Sequence, residues 1–107
     1  MLRKGLIYQN NQLAGFIQET EEGYTFSYDK EYLKNEDALA VSLTLPLREK
    51  AYTSNTLFSF FDGLIPEGWM LEIAQENWSL NERDRFGLLL ACCKNTIGSI
   101  GVVNEEL

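Results

Sequence analysis

The sequence contains no histidine, the residue that proteins use most often as a general base and as a metal ligand. Its two cysteines, Cys92 and Cys93, are adjacent, and such a pair cannot by itself supply the four suitably spaced ligands of a zinc site. The cysteines of a disulfide framework would also stand further apart. We therefore interpret the pair as buried free thiols in the reducing cytoplasm, and we expect no metal and no cofactor.

Other signatures of catalysis are also missing. The segment GSIG, residues 98–101, is not followed by the lysine of a phosphate-binding loop, and no serine or cysteine has the context of a nucleophile elbow. The Gly-rich loop and the catalytic and metal-binding aspartates of a kinase have no counterpart. The neighbouring glutamates at 21–22 and 105–106 are typical of solvated turns or tails. The sequence predicts a protein that is not an enzyme on its own.

Cationic residues are few. Nine lysines and arginines stand against sixteen aspartates and glutamates, which gives a net charge of −7. This excess repels phosphate backbones, so we expect a basic protein partner rather than direct contact with nucleic acid. No run approaches the roughly 18 apolar residues of a membrane-spanning helix, and the opening MLRKGLIYQNNQ lacks the apolar stretch of a signal peptide. We expect no contact with a membrane.

The composition is that of a folded globular protein. Hydrophobic residues make up 45% of the 107, which is enough for one core, so we predict a single domain over residues 1–107. Near the N-terminus, two apolar runs flank Asn10-Asn11, and asparagine tolerates the positive φ of a tight hairpin turn. Residues 24–28 then alternate aromatic and small polar side chains. These patterns predict a three-stranded β-meander.

The middle of the chain predicts a short helix and a further strand. Asp29 opens the polar segment DKEYLKNEDA and is a candidate N-cap for a short helical turn. In VSLTLPL, residues 41–47, apolar side chains alternate with small polar ones until Pro46, which cannot donate to a sheet ladder. The alternation predicts a strand that directs three apolar side chains to one face, namely Val41, Leu43 and Leu45.

The second half changes to helical spacing. A first helix is predicted from Asn55, with Ser54 or Asn55 as its cap, and a second from about Pro66 to Trp78, since proline suits the first turn. SLNERDRFGLLLACC predicts a third helix capped by Ser79 or Asn81, and GSIGVV predicts a last strand. The order predicts an α+β fold: a small, mostly antiparallel sheet, with the N-terminal meander and later strands, and about three helices packed on it.

The two tryptophans of the second predicted helix have different places on it. At about 100° per residue, Trp78 falls in the apolar stripe, whereas Trp69 projects roughly 130° from the centre of that stripe. Trp78 is therefore predicted to lie in the core. Trp69 either folds back over Phe61 or Leu64 or is an interface anchor, because tryptophan is among the residues most enriched at binding hot spots.

Several motifs follow one another along nearly the whole chain. After an opening β-hairpin they are FSYDKEYL, VSLTLPL with Arg48 and Tyr52 beyond it, FSFFDGLIPEG, RDRFGLLLAC and the closing GSIGVV. In this order they resemble the N-terminal subdomain of HipA-type kinases. In that family of bacterial toxin–antitoxin proteins, the small domain precedes a kinase core that phosphorylates translation components. The ATP-binding and catalytic parts of that core have no counterpart in this sequence.

As a free-standing chain, the sequence resembles HipS-type antitoxins of three-part HipBST systems, in which HipT is a shortened kinase toxin and HipB binds DNA. The resemblance implies an antitoxin that binds a HipT-like kinase and occludes its active-site region, with a HipB-like protein as a further partner in a ternary complex. In the kinase-fused members the position after Pro-Glu-Gly is usually polar or charged, whereas here it is Trp69. The predicted partner-binding residues are Asp62, Pro66, Glu67, Gly68, Trp69 and Met70.

Two alternatives stay open at this stage. The chain is either an accessory subunit that a split HipA-type kinase needs for its fold or activity, or a bridge that recruits a HipB-like repressor. A kinase assay distinguishes the first alternative from an antitoxin, because an accessory subunit raises activity and an antitoxin lowers it. A gel-shift with each partner alone tests the second.

Overall fold

A computed structural model describes residues 2–65, 84–92 and 100–105. Within them the fold is α+β, as predicted: five strands form one antiparallel sheet that three helices accompany. The strands are β1 (Lys4–Gln9), β2 (Gln12–Thr20), β3 (Gly23–Tyr28), β4 (Tyr52–Ser54) and β5 (Ile100–Asn104). The helices are α1 (Lys30–Lys34), α2 (Ser59–Asp62) and α3 (Arg85–Cys92). Across the sheet the order is β4-β3-β2-β1-β5.

The predicted meander is confirmed by β1, β2 and β3 and by their turns. Asn10 and Asn11 have φ values of 51° and 67°, the left-handed conformation that a two-residue hairpin loop requires. The loop connects the paired residues Gln9 and Gln12. At the β2–β3 turn, Gly23 has a φ of 155°, and a Cβ there would overlap the carbonyl oxygen of Ser54 on the neighbouring strand. The conformations of these two turns fix the register of the three strands.

The core lies between one face of the sheet and the helices α2 and α3. Ring contacts connect the layers: the Phe26 ring of β3 lies 5.3 Å from that of Phe61 on α2, and the Tyr24 ring lies 5.6 Å from that of Phe86 on α3. The largest fully buried side chains are Ile7, Ile17, Phe26, Phe61, Phe86, Leu88, Leu89 and Val102. The predicted closing strand is confirmed by β5, which pairs with β1.

The predicted strand at VSLTLPL is wrong. Val41 and Leu45 are buried, but Leu43 is fully exposed, and Ser42 and Leu45 form only an isolated bridge across a tight turn. The Leu45 N–H donates to the Ser42 carbonyl at 3.1 Å, and the Ser42 hydroxyl accepts from the Thr44 N–H at 3.2 Å. Such local bonds from serine and threonine compete with a sheet ladder, and here they prevail over the alternation of apolar residues.

The predicted start of the first long helix is also wrong. The helix α2 begins at Ser59, and its N-cap Phe58 provides no side-chain hydrogen bond. Ser54 belongs instead to β4, which pairs with β3, and its hydroxyl accepts from the Thr56 N–H at 3.3 Å to turn the chain. The strand β4 is only three residues long and pairs with β3, which is distant in sequence. So short a strand shows no alternation by which sequence analysis could have predicted it.

Helix capping was predicted correctly at α1. The Asp29 carboxylate accepts from the Tyr32 N–H at 3.2 Å, which confirms the predicted N-cap. The helix α3 begins at Arg85, and at its start the Asp84 carboxylate accepts from the Gly87 N–H at 3.1 Å, as an N-cap side chain does. The predicted helix from Pro66 to Trp78, the caps at Ser79 and Asn81, and the side chains of Cys92 and Cys93 lie outside the described residues.

Candidate protein-interaction site

Of the six predicted partner-binding residues, the structure describes one, Asp62. It is the last residue of α2, and its Oδ1 accepts a hydrogen bond of 2.6 Å from Nε of Arg85. Both side chains are about two-fifths exposed, at 42% and 43%. The other five, Pro66, Glu67, Gly68, Trp69 and Met70, lie outside the described residues.

The ion pair between Asp62 and Arg85 joins the end of α2 to the beginning of α3. The hydrogen bond to the carboxylate raises the pKa of the Arg85 guanidinium. The Arg85 guanidinium therefore stays charged at neutral pH, and the Asp62 side chain, which is 42% exposed, lies beside this cation. A partner that approaches Asp62 meets a dipolar pair rather than an isolated carboxylate.

A second ionic cluster connects the sheet to α3. The Arg3 guanidinium donates from Nε to Glu19 at 2.7 Å and from Nη1 to Asp84 at 2.7 Å, and Nη2 donates to both carboxylates at 2.9 Å. The same guanidinium lies 5.3 Å from the centre of the Phe86 ring. Planar, two-sided recognition of this kind is the strongest form of the arginine–carboxylate pair.

The electrostatics of this cluster follow from its hydrogen bonds. Arg3 lowers the pKa of Glu19 and that of Asp84, and desolvation opposes both shifts to a smaller extent. A Cβ at Gly87 would overlap the Asp84 carboxylate and would sit 3.0 Å from Nη1 of Arg3, so glycine leaves room for the pair. The cluster and the Asp62–Arg85 pair hold the described residues on both sides of 66–83 in fixed positions.

Sequence reasoning missed an exposed apolar row on residues 39–47, which we call the leucine loop. Three of its four leucines, Leu39, Leu43 and Leu47, are exposed by 57%, 100% and 38%, and the fourth, Leu45, is buried. Among the described residues, Leu2 is the only other large apolar side chain that is exposed to a similar degree. The alternation of the segment predicted a half-buried strand and so placed Leu43 in the core. The flanking Ser42 and Thr44 were the available signal for a turn.

Two features, a metal-binding cluster and a membrane-spanning helix, are missing from the part of the chain that the structure describes. There, no group of three or more His, Cys, Asp or Glu residues is placed to hold a metal ion. Helices α1 to α3 and the rest of the described chain include none that is long and apolar enough to cross a membrane.

Comparison with known proteins places these features in a family. The sequence model of the HipA N-terminal domain matches residues 6–103. A solved structure described as the N-terminal domain of HipA toxin superposes with a TM-score of 0.74 at 28% identity, over 98% of this chain and 94% of that one.

Two relatives differ in length. An uncharacterised protein of Haemophilus influenzae is 28% identical over 106 residues, which are 99% of this chain and 96% of the relative. The putative kinase Y4mE of Sinorhizobium fredii is 23% identical over 101 residues, which are 94% of this chain but only 24% of that protein. Since the family model spans most of the sequence and the fold agrees, this chain belongs to the HipA N-terminal domain family.

Proposed function

We propose that this protein is a bacterial antitoxin that binds a HipT-like serine/threonine kinase toxin in the cytoplasm and inhibits it by occluding its active-site region. The observation that carries the proposal is the length of its relatives. The same domain is about a quarter of a putative kinase and nearly the whole of the Haemophilus protein. A domain that is built into a kinase chain carries a surface shaped for that kinase, and a separate copy can bind a kinase that lacks the domain.

A separate copy needs more binding energy than a fused one. A covalent linker supplies an effective concentration in the millimolar range, and an untethered protein must replace that advantage with contacts. Trp69, at the position that is usually polar in kinase-fused members, would provide such a contact, together with its neighbours Pro66, Glu67, Gly68 and Met70. Asp62, fixed by Arg85 at 2.6 Å, would meet basic groups of the kinase at the edge of this contact.

The net charge supports the same partner. Kinases bind the phosphates of ATP with lysines and arginines, and a chain of net charge −7 is attracted to such a cleft. Complementary charge acts mainly on the association rate and on the choice of partner. Association with the kinase should therefore slow as salt is raised, while the dissociation rate changes little.

The test is inhibition of a purified HipT-like kinase by the wild-type chain and by Trp69→Ala. Loss of a hot-spot tryptophan costs about 2 kcal/mol or more, which corresponds to about 30-fold weaker inhibition. Lys34→Ala is the control, because Lys34 lies on α1 and its side chain is 73% exposed. A Trp69→Ala protein that melts at the wild-type temperature and inhibits at the wild-type concentration would show that the anchor is elsewhere.

The rival function is an accessory subunit of a split kinase. It is favoured by the putative kinase Y4mE, in which the matching domain is part of the kinase polypeptide. The two functions predict opposite signs in one assay. Autophosphorylation of the kinase falls on addition of an antitoxin and rises on addition of an accessory subunit.

A further inference from the structure

The hydrogen-bond pattern between β2 and β3 shows which backbone groups of β3 face its other neighbour, β4. The Asp29 N–H donates to the Ala14 carbonyl at 2.7 Å, which marks Gly15 and Tyr28 as a non-hydrogen-bonded pair of this antiparallel ladder. The two kinds of pair alternate along a ladder. Every second residue of β3, counted back from Tyr28, therefore directs its N–H and carbonyl away from β2 and toward β4.

In β4, the same alternation places the backbone groups of Thr53 on the outer side. The two β3 residues concerned, Tyr24 and Phe26, pair with Ser54 and Tyr52. Since the bonding side alternates along a strand, the N–H and carbonyl of Thr53 point away from the sheet. Thr53 is exposed, and neither group has a hydrogen-bond partner among the described residues. An unpaired edge of this kind is a template for a further strand.

An open groove of about 300 Å³ lies beside this edge. It is lined by β4, by the leucine loop and by the stretch that leads into α2, including Thr53, Ser54, Thr44, Leu45 and residues 57–60. The wall formed by the leucine loop is held in place by Tyr28, whose hydroxyl donates to the Leu45 carbonyl and accepts from the Val41 N–H at 3.0 Å. The edge of β4 is therefore set back between two walls, where an extended chain can reach it.

A fixed cation lies at the N-terminal end of this edge. Arg48 donates from Nε to the Lys50 carbonyl at 3.0 Å and from Nη2 to the Ala51 carbonyl at 3.2 Å. Its guanidinium lies 3.5 Å from the centre of the Tyr52 ring. The Arg48 Nη1 group and the exposed Lys50 ammonium have no carboxylate partner among the described residues. The carboxylate between them, Glu49, lines a different cavity beside α1. An acidic group at this end would meet two cations.

The C-terminal end of β4 is acidic. The turn between β2 and β3 carries Glu21 and Glu22, and both line an open pocket of about 690 Å³ together with Ser54 and Asn55. In the described part of the chain, neither glutamate forms an ion pair. The edge therefore has positive charge at one end and negative charge at the other.

We propose that the groove beside β4 binds an extended peptide segment of a partner protein, which joins the sheet as a further antiparallel strand. The Thr53 N–H and carbonyl exchange two hydrogen bonds with the central residue of the segment. The antiparallel direction brings the C-terminal end of the segment to Arg48 and Lys50, and its N-terminal end to Glu21 and Glu22. The recognised segment therefore has basic residues before its centre and acidic residues after it. This binding goes beyond the proposed function and does not depend on it.

A second copy of this chain fits the edge less well than a free segment does. Each copy would bring an edge that is set back between the leucine loop and the stretch leading into α2. The two edges could meet only if these walls moved, and the Tyr28 hydrogen bonds oppose such a movement. An extended segment needs no such change.

The experiment uses a synthetic nine-residue probe peptide with blocked ends. It has two lysines, then five residues that alternate threonine and valine, then two glutamates. The control peptide exchanges the lysines with the glutamates, so the two peptides have the same composition and net charge. Isothermal titration calorimetry with the full chain should give a dissociation constant about 10-fold lower for the probe, because only the probe meets opposite charges at both ends.

Two variants test the backbone contact. Thr53→Pro removes the outward N–H and leaves the bonds to β3, which Tyr52 and Ser54 make. It should bind the probe about 10-fold more weakly, whereas Thr53→Ala keeps the N–H and should bind as the wild type does. If the proline variant does not fold, a probe that is N-methylated at its central residue tests the same contact. It cannot donate to the Thr53 carbonyl and should bind the wild type about 10-fold more weakly.

Hydrogen exchange locates the contact, because the Thr53 amide should exchange more slowly when the probe is added. Equal affinity for the probe and the control peptide, binding of neither, or unchanged exchange at the Thr53 amide would each overturn the proposal. Sedimentation velocity on the chain alone covers the other occupant. Self-association that Thr53→Pro abolishes, without binding of the probe, would assign the edge to a second copy and would also overturn the proposal.

Discussion

The meander of β1 to β3 and the leucine loop achieve a defined shape by different means. The strands pair backbone to backbone along their length and bury side chains such as Ile7, Ile17 and Phe26 beneath them. The leucine loop has one isolated bridge, and its backbone is held by side-chain hydroxyls from Tyr28 and Tyr32. A ladder distributes stability over many bonds, whereas the loop depends on a few. Damage to the sheet should unfold the protein, and damage to a tyrosine hydroxyl should loosen one loop.

The largest loss of stability is expected from Phe26→Ala, which tests the contribution of the sheet and its core. Phe26 is fully buried and contacts the rings of Tyr28, Tyr52 and Phe61, so the substitution leaves a cavity at the centre of the core. We expect the free energy of unfolding to fall by about 3–5 kcal/mol, as measured by urea denaturation. Phe16→Ala makes the same change at a half-buried position and should cost clearly less. Equal losses would contradict a core centred on Phe26.

A smaller loss is expected from Arg3→Ala, which disconnects the sheet from α3. The substitution removes charge-assisted bonds to Glu19 and Asp84 and leaves two partly buried carboxylates close together. A hydrogen bond to a charged group contributes about 1.5–3 kcal/mol to stability. We therefore expect the free energy of unfolding to fall by about 2–3 kcal/mol. Lys34→Ala breaks the exposed pair with Glu31, 3.3 Å long, and should cost less than about 0.5 kcal/mol. Similar losses in the two variants would show that the cluster adds nothing beyond an ordinary surface pair.

The same cluster predicts how stability depends on pH. The folded-state pKa values of Glu19 and Asp84 are lower than their ordinary values of 4.5 and 3.8, so the unfolded chain takes up protons first as the pH falls. The contribution of the cluster is complete above these ordinary values and is lost as the pH drops through the lower folded-state values. Urea denaturation at a series of acidic pH values should therefore show a shallower decline for Arg3→Ala than for the wild type. Parallel declines would mean that other carboxylates dominate.

A smaller effect on overall stability than that of Arg3→Ala is expected on the loop side, from Tyr28→Phe. The Val41 N–H and the Leu45 carbonyl lose their partner, which costs about 1 kcal/mol in the free energy of unfolding. Hydrogen exchange should accelerate at the Val41 amide and leave the β1–β2 amides protected, because the loop opens without the sheet. Tyr8→Phe, on the outer face of β1, is the matched control. Equally accelerated hydrogen exchange at the Val41 amide and at the β1–β2 amides would contradict a loop that opens independently of the sheet.

The features that local sequence could predict are those whose causes are local. Asn10 and Asn11 set the hairpin, and Asp29 caps α1, in each case within a few residues of the atoms they satisfy. The α+β class and the closing strand also followed from the order of patterns. The position of Leu43 could not follow, because the Tyr28 hydroxyl that holds its turn bonds a residue 17 positions away.

Less of the candidate site than of the fold could be predicted from the sequence. The family motifs led to the prediction of Asp62 and residues 66–70 as partner-binding, of which the structure describes Asp62. Arg85, which pairs with Asp62, is 23 positions away, and Asp84, which pairs with Arg3, is 81 positions away. No periodicity encodes such pairs, since each residue by itself is an ordinary surface charge. The leucine loop was missed for the opposite reason, because an alternation that usually marks a strand was interrupted by a local bond from the Thr44 N–H to the Ser42 hydroxyl.

The position of β1 has a consequence for how the protein is made. This strand pairs on one side with its immediate successor β2 and on the other with β5, and the Glu105 N–H donates to the Lys4 carbonyl at 3.1 Å. During synthesis, β1 and β2 leave the ribosome early and can form their hairpin, while the second side of β1 waits for residues 100–104. Until then β1 is an open edge strand that can join other chains. Synthesis of residues 100–104 is therefore the event that closes this side of the sheet and removes the hazard.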